Sequence, residues 1–229
     1  MVSEEPISLG SLAYACNVYD AMTDFGSSLG EFRLRVDGNP DLDEKDHRQA
    51  LLTWLNAWGC RIALNSHVLL SNKLAAWYKV AIGRLPDPTD RLVTIDSPAL
   101  DKFEELFDEL SGLRAQDGGR RFGPTAASKT LFALRPHVFV AWDELIRREL
   151  VPDASGASYI EFLKGVRNNL KQITLQCSAH GIDLDGLPER LGRPESTAPQ
   201  LVGEYCWVTI TRDVLPPDAG TFRNWLAWS

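Results

Sequence analysis

The sequence lacks the features that mark membrane, exported and zinc-binding proteins. No apolar run approaches the roughly 18 residues that a membrane span needs, so we expect no membrane association. The first ten residues are acidic and precede no long apolar run, which predicts no signal peptide and a cytoplasmic location. The four cysteines are far apart and form no CxxC pair, so we expect reduced, buried thiols.

Common catalytic and cofactor motifs are also missing. The sequence contains no GxxxxGK[ST] phosphate loop, no GxGxxG after a strand, no HExxH and no GxSxG. The four histidines are isolated from one another, and none stands at a metal-pair spacing with an acid. We therefore expect no metal ion and no cofactor.

Positive charge is scarce overall but locally concentrated. The formal net charge of −7 is unfavourable for a nucleic-acid binder, whose affinity comes largely from a basic surface. Between positions 112 and 150, however, seven lysines and arginines stand against four aspartates and glutamates. This basic segment is either a chance fluctuation or a binding surface, and the count alone leaves both open.

Apolar residues recur at helical spacing along most of the chain, which predicts an all-α protein with about eight helices. The clearest helix begins near Ser97, a good N-cap, with Pro98 in the first turn. Residues Phe32–Val36 suggest a short extended piece. The segment "QLVGEYCWVTITRDV" allows a helix or a strand, and its β-branched end favours a strand.

We divide the chain into three segments on composition and turn signals. Residues 1–45 form an N-terminal helix and loop, and residues 46–181 form a helical core with a hairpin at 118–134. Residues 182–229 start with a turn-rich stretch and form a linker and docking segment.

One stretch, "FGPTAASKTLFALRPHVFVAWDELIRREL", has a more specific pattern. It opens on Gly-Pro, continues as a helix of small residues, breaks at Arg135-Pro136 and restarts as a helix after Asp143. This order resembles the signature of the helix-hairpin-helix DNA glycosylase superfamily, L-P-G-V-G-x-K-T-A-x-x-x-L, an apolar connector, then V-D-T-H-V-x-R. Gly123 falls on the last glycine of that signature, Asp143 on its essential aspartate and Arg148 on its arginine.

The resemblance implies a two-lobed helical bundle that binds duplex DNA and removes a base. In that family the hairpin glycine lets backbone amides approach a phosphate, and the aspartate faces an extruded nucleotide. The implied catalytic residue is Asp143, with Trp142 beside it to stack on a base. The implied contacts to the DNA backbone come from Arg120, Arg121, Gly123, Thr125, Lys129 and Arg148.

The same alignment implies which chemistry is absent. Thr125 lies eighteen positions before Asp143, where bifunctional members of the family have the lysine that forms a Schiff base. The resemblance therefore implies a monofunctional N-glycosylase that uses water as its nucleophile and has no lyase activity. The first half of the hairpin signature is replaced by "GRRF", and Glu144-Leu145 replaces Thr-His after the aspartate.

Three functions remain open on the sequence alone. Asp143 could be a catalytic carboxylate, or it could only cap the helix that follows it. The chain could keep the fold as an inactive binding module for DNA. It could also use its cleft for a small molecule or a protein partner.

Overall fold

The structure, a computed structural model, describes residues 6–115 and 119–227. Within them the chain is all-α, as the apolar spacing predicts, and no β-strand is assigned. The helices, in chain order, are α1 (Leu9–Met22), α2 (Phe25–Arg35), α3 (Lys45–Ala57), α4 (His67–Ala81), α5 (Ser97–Asp101), α6 (Glu104–Gly112), α7 (Pro124–Leu134), α8 (Glu144–Leu150), α9 (Gly156–Ala179), α10 (Leu187–Arg190), α11 (Ala198–Cys206) and α12 (Ala219–Leu226).

Two segments with extended propensity are helical instead. The predicted extended piece at Phe32–Val36 lies mostly in α2, where Phe32 is buried and stacks on Trp54 at 5.1 Å between ring centroids. The predicted strand after α11 is a π-helical turn at Trp207–Thr211. The β-branched residues do not form a strand there because no strand among the described residues is available to pair with them.

One continuous hydrophobic cluster holds most of the helices together. The longest helix, α9, packs against α5, α6 and α11, and its Tyr159 stacks on Phe107 of α6 at 4.4 Å. Helix α11 lies in the segment that we predicted as a linker and docking region, yet its Leu201 and Val202 are fully buried in the same cluster. The C-terminal segment therefore supplies a helix of the core.

The connector between α7 and α8 is irregular in backbone but buried in the core. Its residues Val138, Phe139 and Val140 are each 1% exposed or less. Gly203 of α11 lets the two backbones come close, since a Cβ at that position would lie 2.8 Å from Cγ1 of Val140. The connector ends at Asp143, so its packing fixes where that carboxylate stands.

A buried ion-pair network joins α11 to the N-terminal helices. Arg193 donates to both carboxylate oxygens of Glu204, at 2.9 and 3.1 Å, and pairs with Asp20 of α1 at 3.0 Å. Gln200 donates to Glu204 at 2.9 Å. Burial raises the pKa of Glu204, and the positive charge of Arg193 opposes that rise. Arg193 therefore compensates the negative charge of the buried Glu204 carboxylate.

We predict that Arg193→Met lowers the free energy of unfolding by about 3–5 kcal/mol, because it leaves the Glu204 carboxylate buried without its cation. Urea unfolding would measure the change. The matched control is Arg91→Met, which removes an exposed ion pair to Asp185 and should cost less than about 1 kcal/mol. Equal losses in the free energy of unfolding for Arg193→Met and Arg91→Met would mean that solvent screens the charges of the Arg193 network.

Candidate functional site

The structure contains a cleft of 440 Å³ that is lined by several of the predicted residues. One wall comes from α7 and from the loop that follows α3. The start of α8, α11 and the π turn also line the cleft. Five of the residues that we predicted as functional line this cleft: Arg120, Thr125, Lys129, Trp142 and Asp143. The cleft therefore brings the predicted carboxylate together with two of the predicted cations.

Asp143 stands at the N-terminus of α8 and has two structural partners. Its Oδ1 accepts a hydrogen bond from the Ile146 amide at 2.9 Å, which is the helix cap. Its Oδ2 accepts from the Thr211 hydroxyl in the π turn at 2.7 Å. A carboxylate has about four acceptor positions, so both oxygens keep capacity for a ligand. Capping and a role in the cleft are therefore compatible.

The connector before Asp143 is anchored at two points. The Ser128 hydroxyl of α7 accepts from the Trp142 amide at 3.2 Å, and the Tyr159 hydroxyl donates to the Val140 carbonyl oxygen at 2.9 Å. These side chains satisfy backbone groups that no secondary structure pairs, and buried backbone groups require such partners. The sequence did not single out Ser128 or Tyr159 for this role, because nothing in a local pattern shows which backbone they reach.

Lys129 lies inside the cleft wall and is 9% exposed. Its Nζ donates to the carbonyl oxygen of Trp58 and lies 5.5 Å from the centroid of the Trp58 ring. Burial lowers the pKa of Lys129, while the nearby Asp143 carboxylate acts in the opposite direction. The lysine is therefore a desolvated cation at the base of the cleft, a role that its position one turn after Thr125 did not reveal.

Aromatic rings form another part of the cleft wall. Phe25 lies between Trp58 and Trp207, with centroid distances of 5.6 and 6.1 Å, and Tyr19 meets Trp207 edge-on at 5.2 Å. Phe132 of α7 stacks on Trp58 at 5.9 Å. Trp58 itself is buried, at 8% exposed. Its position at the end of α3 puts it at the border between core and cleft.

The ring of Trp142 is buried in the core, and its stacking on a base stays a prediction. Its side chain is 1% exposed and packs against Phe107, Tyr159 and Phe162, with centroid distances of 5.6, 5.0 and 5.6 Å. Its indole N–H donates to the Pro124 carbonyl oxygen at 3.2 Å. Asp143, the next residue, has different surroundings, since it lines the cleft and accepts hydrogen bonds from the Ile146 amide and the Thr211 hydroxyl.

The hairpin glycine has the backbone conformation that its position demands, but not a free amide. Gly123 has φ of 87°, in the left-handed region, and directly precedes α7. Its N–H donates to the Ser111 carbonyl oxygen at 2.9 Å, so this amide is not available to a phosphate in the structure. Residues Leu113 and Phe122 close the hairpin through a backbone hydrogen bond of 2.7 Å. The glycine therefore shapes the turn.

Two predicted arginines lie outside the cleft. Arg121 is exposed and its backbone bridges to Arg114, while Arg148 is exposed and pairs with Glu144 one helical turn before it. Arg61, which the sequence analysis did not select, lies at the cleft instead. Its loop follows α3 in the chain but meets the hairpin only in the fold, so sequence proximity gave no signal.

No protein-family model, curated protein or solved structure matches this chain. The glycosylase resemblance of residues 123–148 therefore has no support from whole-chain comparison. What the cleft can do follows from its own residues: a half-buried carboxylate, a desolvated lysine, two rim arginines and an aromatic wall. Among the residues that the structure describes, no group of three or more histidines, cysteines and acids could hold a metal ion. No described helix is long and apolar enough to cross a membrane.

We predict that the stability of the protein relative to its Lys129→Met variant rises with pH. Because burial lowers the folded-state pKa of Lys129 below its ordinary 10.5, the folded protein releases this proton first as pH rises. The lysine's contribution to stability is therefore smallest below the folded-state pKa and grows until pH passes 10.5. Urea unfolding of both proteins at neutral and at alkaline pH would measure the difference.

Lys79→Met is the matched control for that measurement, because Lys79 lies on an exposed face of α4 where water solvates its charge in both states. A difference between wild type and Lys129→Met that stays constant with pH would show that water reaches the Lys129 ammonium in the folded protein.

Proposed function

We propose that the cleft hydrolyses the N-glycosidic bond of a nucleotide in DNA, with Asp143 as the catalytic carboxylate. The observation that carries this proposal is the placement of Asp143, which lines an aromatic-walled cleft while two hydrogen bonds fix its orientation. A fixed carboxylate beside a ring-sized cavity is the arrangement that base excision requires, because the target nucleotide must leave the stack and enter a pocket.

The proposed reaction is a displacement at the anomeric carbon. The bond from C1′ to the base nitrogen breaks, and its electron pair leaves with the base. The oxygen of a water molecule forms the new bond to C1′. The Asp143 carboxylate stabilises the positive charge that develops on the sugar and accepts the proton that the water loses. The departing base takes up a proton from solvent and Asp143 releases its proton to solvent, so the products are the free base and an abasic sugar.

The residues of the cleft favour hydrolysis by water over a lyase reaction. Thr125 occupies the position where the resemblance places the Schiff-base lysine, and its side chain is only half-buried at the cleft. Lys129 is the lysine that lines the cleft, and its Nζ already donates to the Trp58 carbonyl oxygen. That hydrogen bond holds the amine against the wall.

A second candidate function is a binding module that does no chemistry. Both oxygens of Asp143 have protein partners, and the Gly123 amide is bonded to Ser111. These contacts favour a structural role for the two residues that the glycosylase resemblance makes functional. The binding module would retain DNA in a salt-dependent manner and release no base.

Asp143→Asn separates the two functions. Asparagine caps helices about as well as aspartate, so the variant should keep wild-type stability while it loses the charge that hydrolysis needs. We expect base release to fall by about 10²–10⁴-fold. The assay incubates duplexes that each contain one damaged or mismatched base, then detects abasic sites by alkaline strand cleavage.

Asp96→Asn is the matched control, because Asp96 caps α5 through the same kind of hydrogen bond, to the Ala99 amide at 2.8 Å, and does not line the cleft. It should leave base release unchanged. Full activity in Asp143→Asn, or no release from any duplex by the wild-type protein, would reject the glycosylase and leave the binding module.

A further inference from the structure

The loop that enters the cleft after α3 is held in an unusual backbone conformation. Gly59 and Arg61 both have positive φ, at 81° and 53°. The loop closes α3 through backbone hydrogen bonds from Gly59 to Asn56 at 3.0 Å and from Cys60 to Leu55 at 2.9 Å. The Asn56 side chain then bonds both backbone groups of Ile62. The loop is therefore fixed from both ends.

The conformation of Arg61 is unfavourable for the residue that occupies it. A positive φ suits glycine and strains a residue with a long side chain. Core packing does not explain the choice, since the Arg61 side chain is exposed. Strain that the surrounding contacts impose on an exposed residue at a cleft is typical of functional positions. The backbone conformation and the core packing therefore do not explain an arginine at this position.

Arg61 belongs to a group of cations on one side of the cleft. Arg120 and Lys129 line the same cleft. Burial raises the pKa of the Cys60 thiol, and the positive charges of Lys129 and Arg120 oppose that rise, so both cations lie near the neighbour of Arg61. Within the described ranges 6–115 and 119–227, none of these three cations lies within 4.0 Å of a carboxylate. The two arginines are therefore available to a ligand, whereas Nζ of Lys129 already donates to the Trp58 carbonyl oxygen.

Each of the three acids that line the cleft has a hydrogen-bond or ion-pair partner within the protein. Glu144 pairs with Arg148, and Glu204 is held by Arg193 in the core. Asp143 accepts hydrogen bonds from α8 and from Thr211. Because Glu144 and Glu204 are paired with arginines, while Arg61 and Arg120 have no carboxylate partner among the described residues, the cleft favours an anion at Arg61 and Arg120.

We propose that Arg61 and Arg120 form a clamp for the phosphate of a nucleotide whose base lies against the aromatic wall of Phe25, Trp58 and Trp207. Guanidinium groups match phosphate oxygens through paired hydrogen bonds, and a base stacks on aromatic rings whatever its sequence. The clamp rests on the proposed function for its source of phosphate, which is the DNA backbone. It replaces Arg121, which lies outside the cleft, as the phosphate contact.

Arg61→Gly tests the clamp without the risk of unfolding the loop. Glycine relieves the strain of the positive φ, so the melting temperature should be at or above that of wild type. Fluorescence anisotropy with a labelled duplex that contains an abasic-site analogue measures binding. We expect Arg61→Gly to weaken binding about tenfold or more and to reduce the salt dependence by about one phosphate contact.

Two further variants make the result specific. Arg121→Ala removes a neighbouring exposed arginine outside the cleft, and we expect it to bind within about twofold of wild type, because a solvated charge contributes little. Arg61→Lys keeps the charge and should recover part of the affinity. Equal affinities for wild type and Arg61→Gly, or a larger loss in Arg121→Ala, would overturn the clamp.

A competition with deoxyadenosine 5′-monophosphate and with deoxyadenosine distinguishes the source of the phosphate. Weak binding of the monophosphate beside tight binding of the duplex supports the DNA backbone. Binding of the monophosphate that Arg61→Gly abolishes, with no binding of the duplex, keeps the clamp and rejects the proposed function. Duplex binding that Arg61→Gly weakens, with no base release by the wild-type protein, also keeps the clamp and rejects the proposed function. If neither the duplex nor the monophosphate binds at low salt, the clamp is overturned.

Discussion

The buried connector between α7 and α8 is the constraint on which the cleft depends. It has no helical or sheet pairing, yet it runs through the core, where an unpaired backbone carbonyl costs free energy. Other elements satisfy it one group at a time. The carbonyl oxygen of Pro136 accepts from the Thr197 hydroxyl at 2.7 Å, and that of His137 accepts from the Leu92 amide at 2.9 Å. The Tyr159 hydroxyl donates to the Val140 carbonyl oxygen, and the Ser128 hydroxyl donates to the Trp142 carbonyl oxygen. Four separate parts of the chain thus hold Asp143 in place.

That anchoring explains how one residue can be a helix cap and a cleft residue together. A cap needs only one oxygen directed at the first turn of its helix, and Asp143 uses Oδ1 for it. The π turn supplies Thr211 to the other oxygen. A single extra residue in a helical turn widens it and re-aims its side chains, which is why π turns are frequent at functional sites. Here the turn brings α11 and α8 to the same carboxylate.

The sequence predicted the helical class and the segment that carries Asp143 because both depend on local spacing. Apolar periodicity is a property of one helix, and the cap follows from an aspartate before an apolar helix. The rest of the cleft depends on contacts between distant segments. Arg61 and Arg120 are brought together by the packing of α3 against α7, and Trp142 is buried because its neighbours on α6 and α9 surround it. No local pattern contains that information.

The acidic total charge and the cationic side of the cleft are compatible because they act over different distances. At physiological ionic strength the field of an exposed charge is screened beyond about 8 Å. A ligand in the cleft therefore responds mainly to the charges that line it, which include Arg61, Arg120, Lys129 and Asp143, while acids on distant faces have little effect on it. The same screening limits long-range attraction of a polyanion, so a protein of this charge gains specificity from the cleft and little affinity from its surface. Under the proposed function, the target nucleotide has to leave the duplex and enter the cleft. This requirement favours a distorted or unpaired site over regular duplex, since the cost of extruding a base is lowest there.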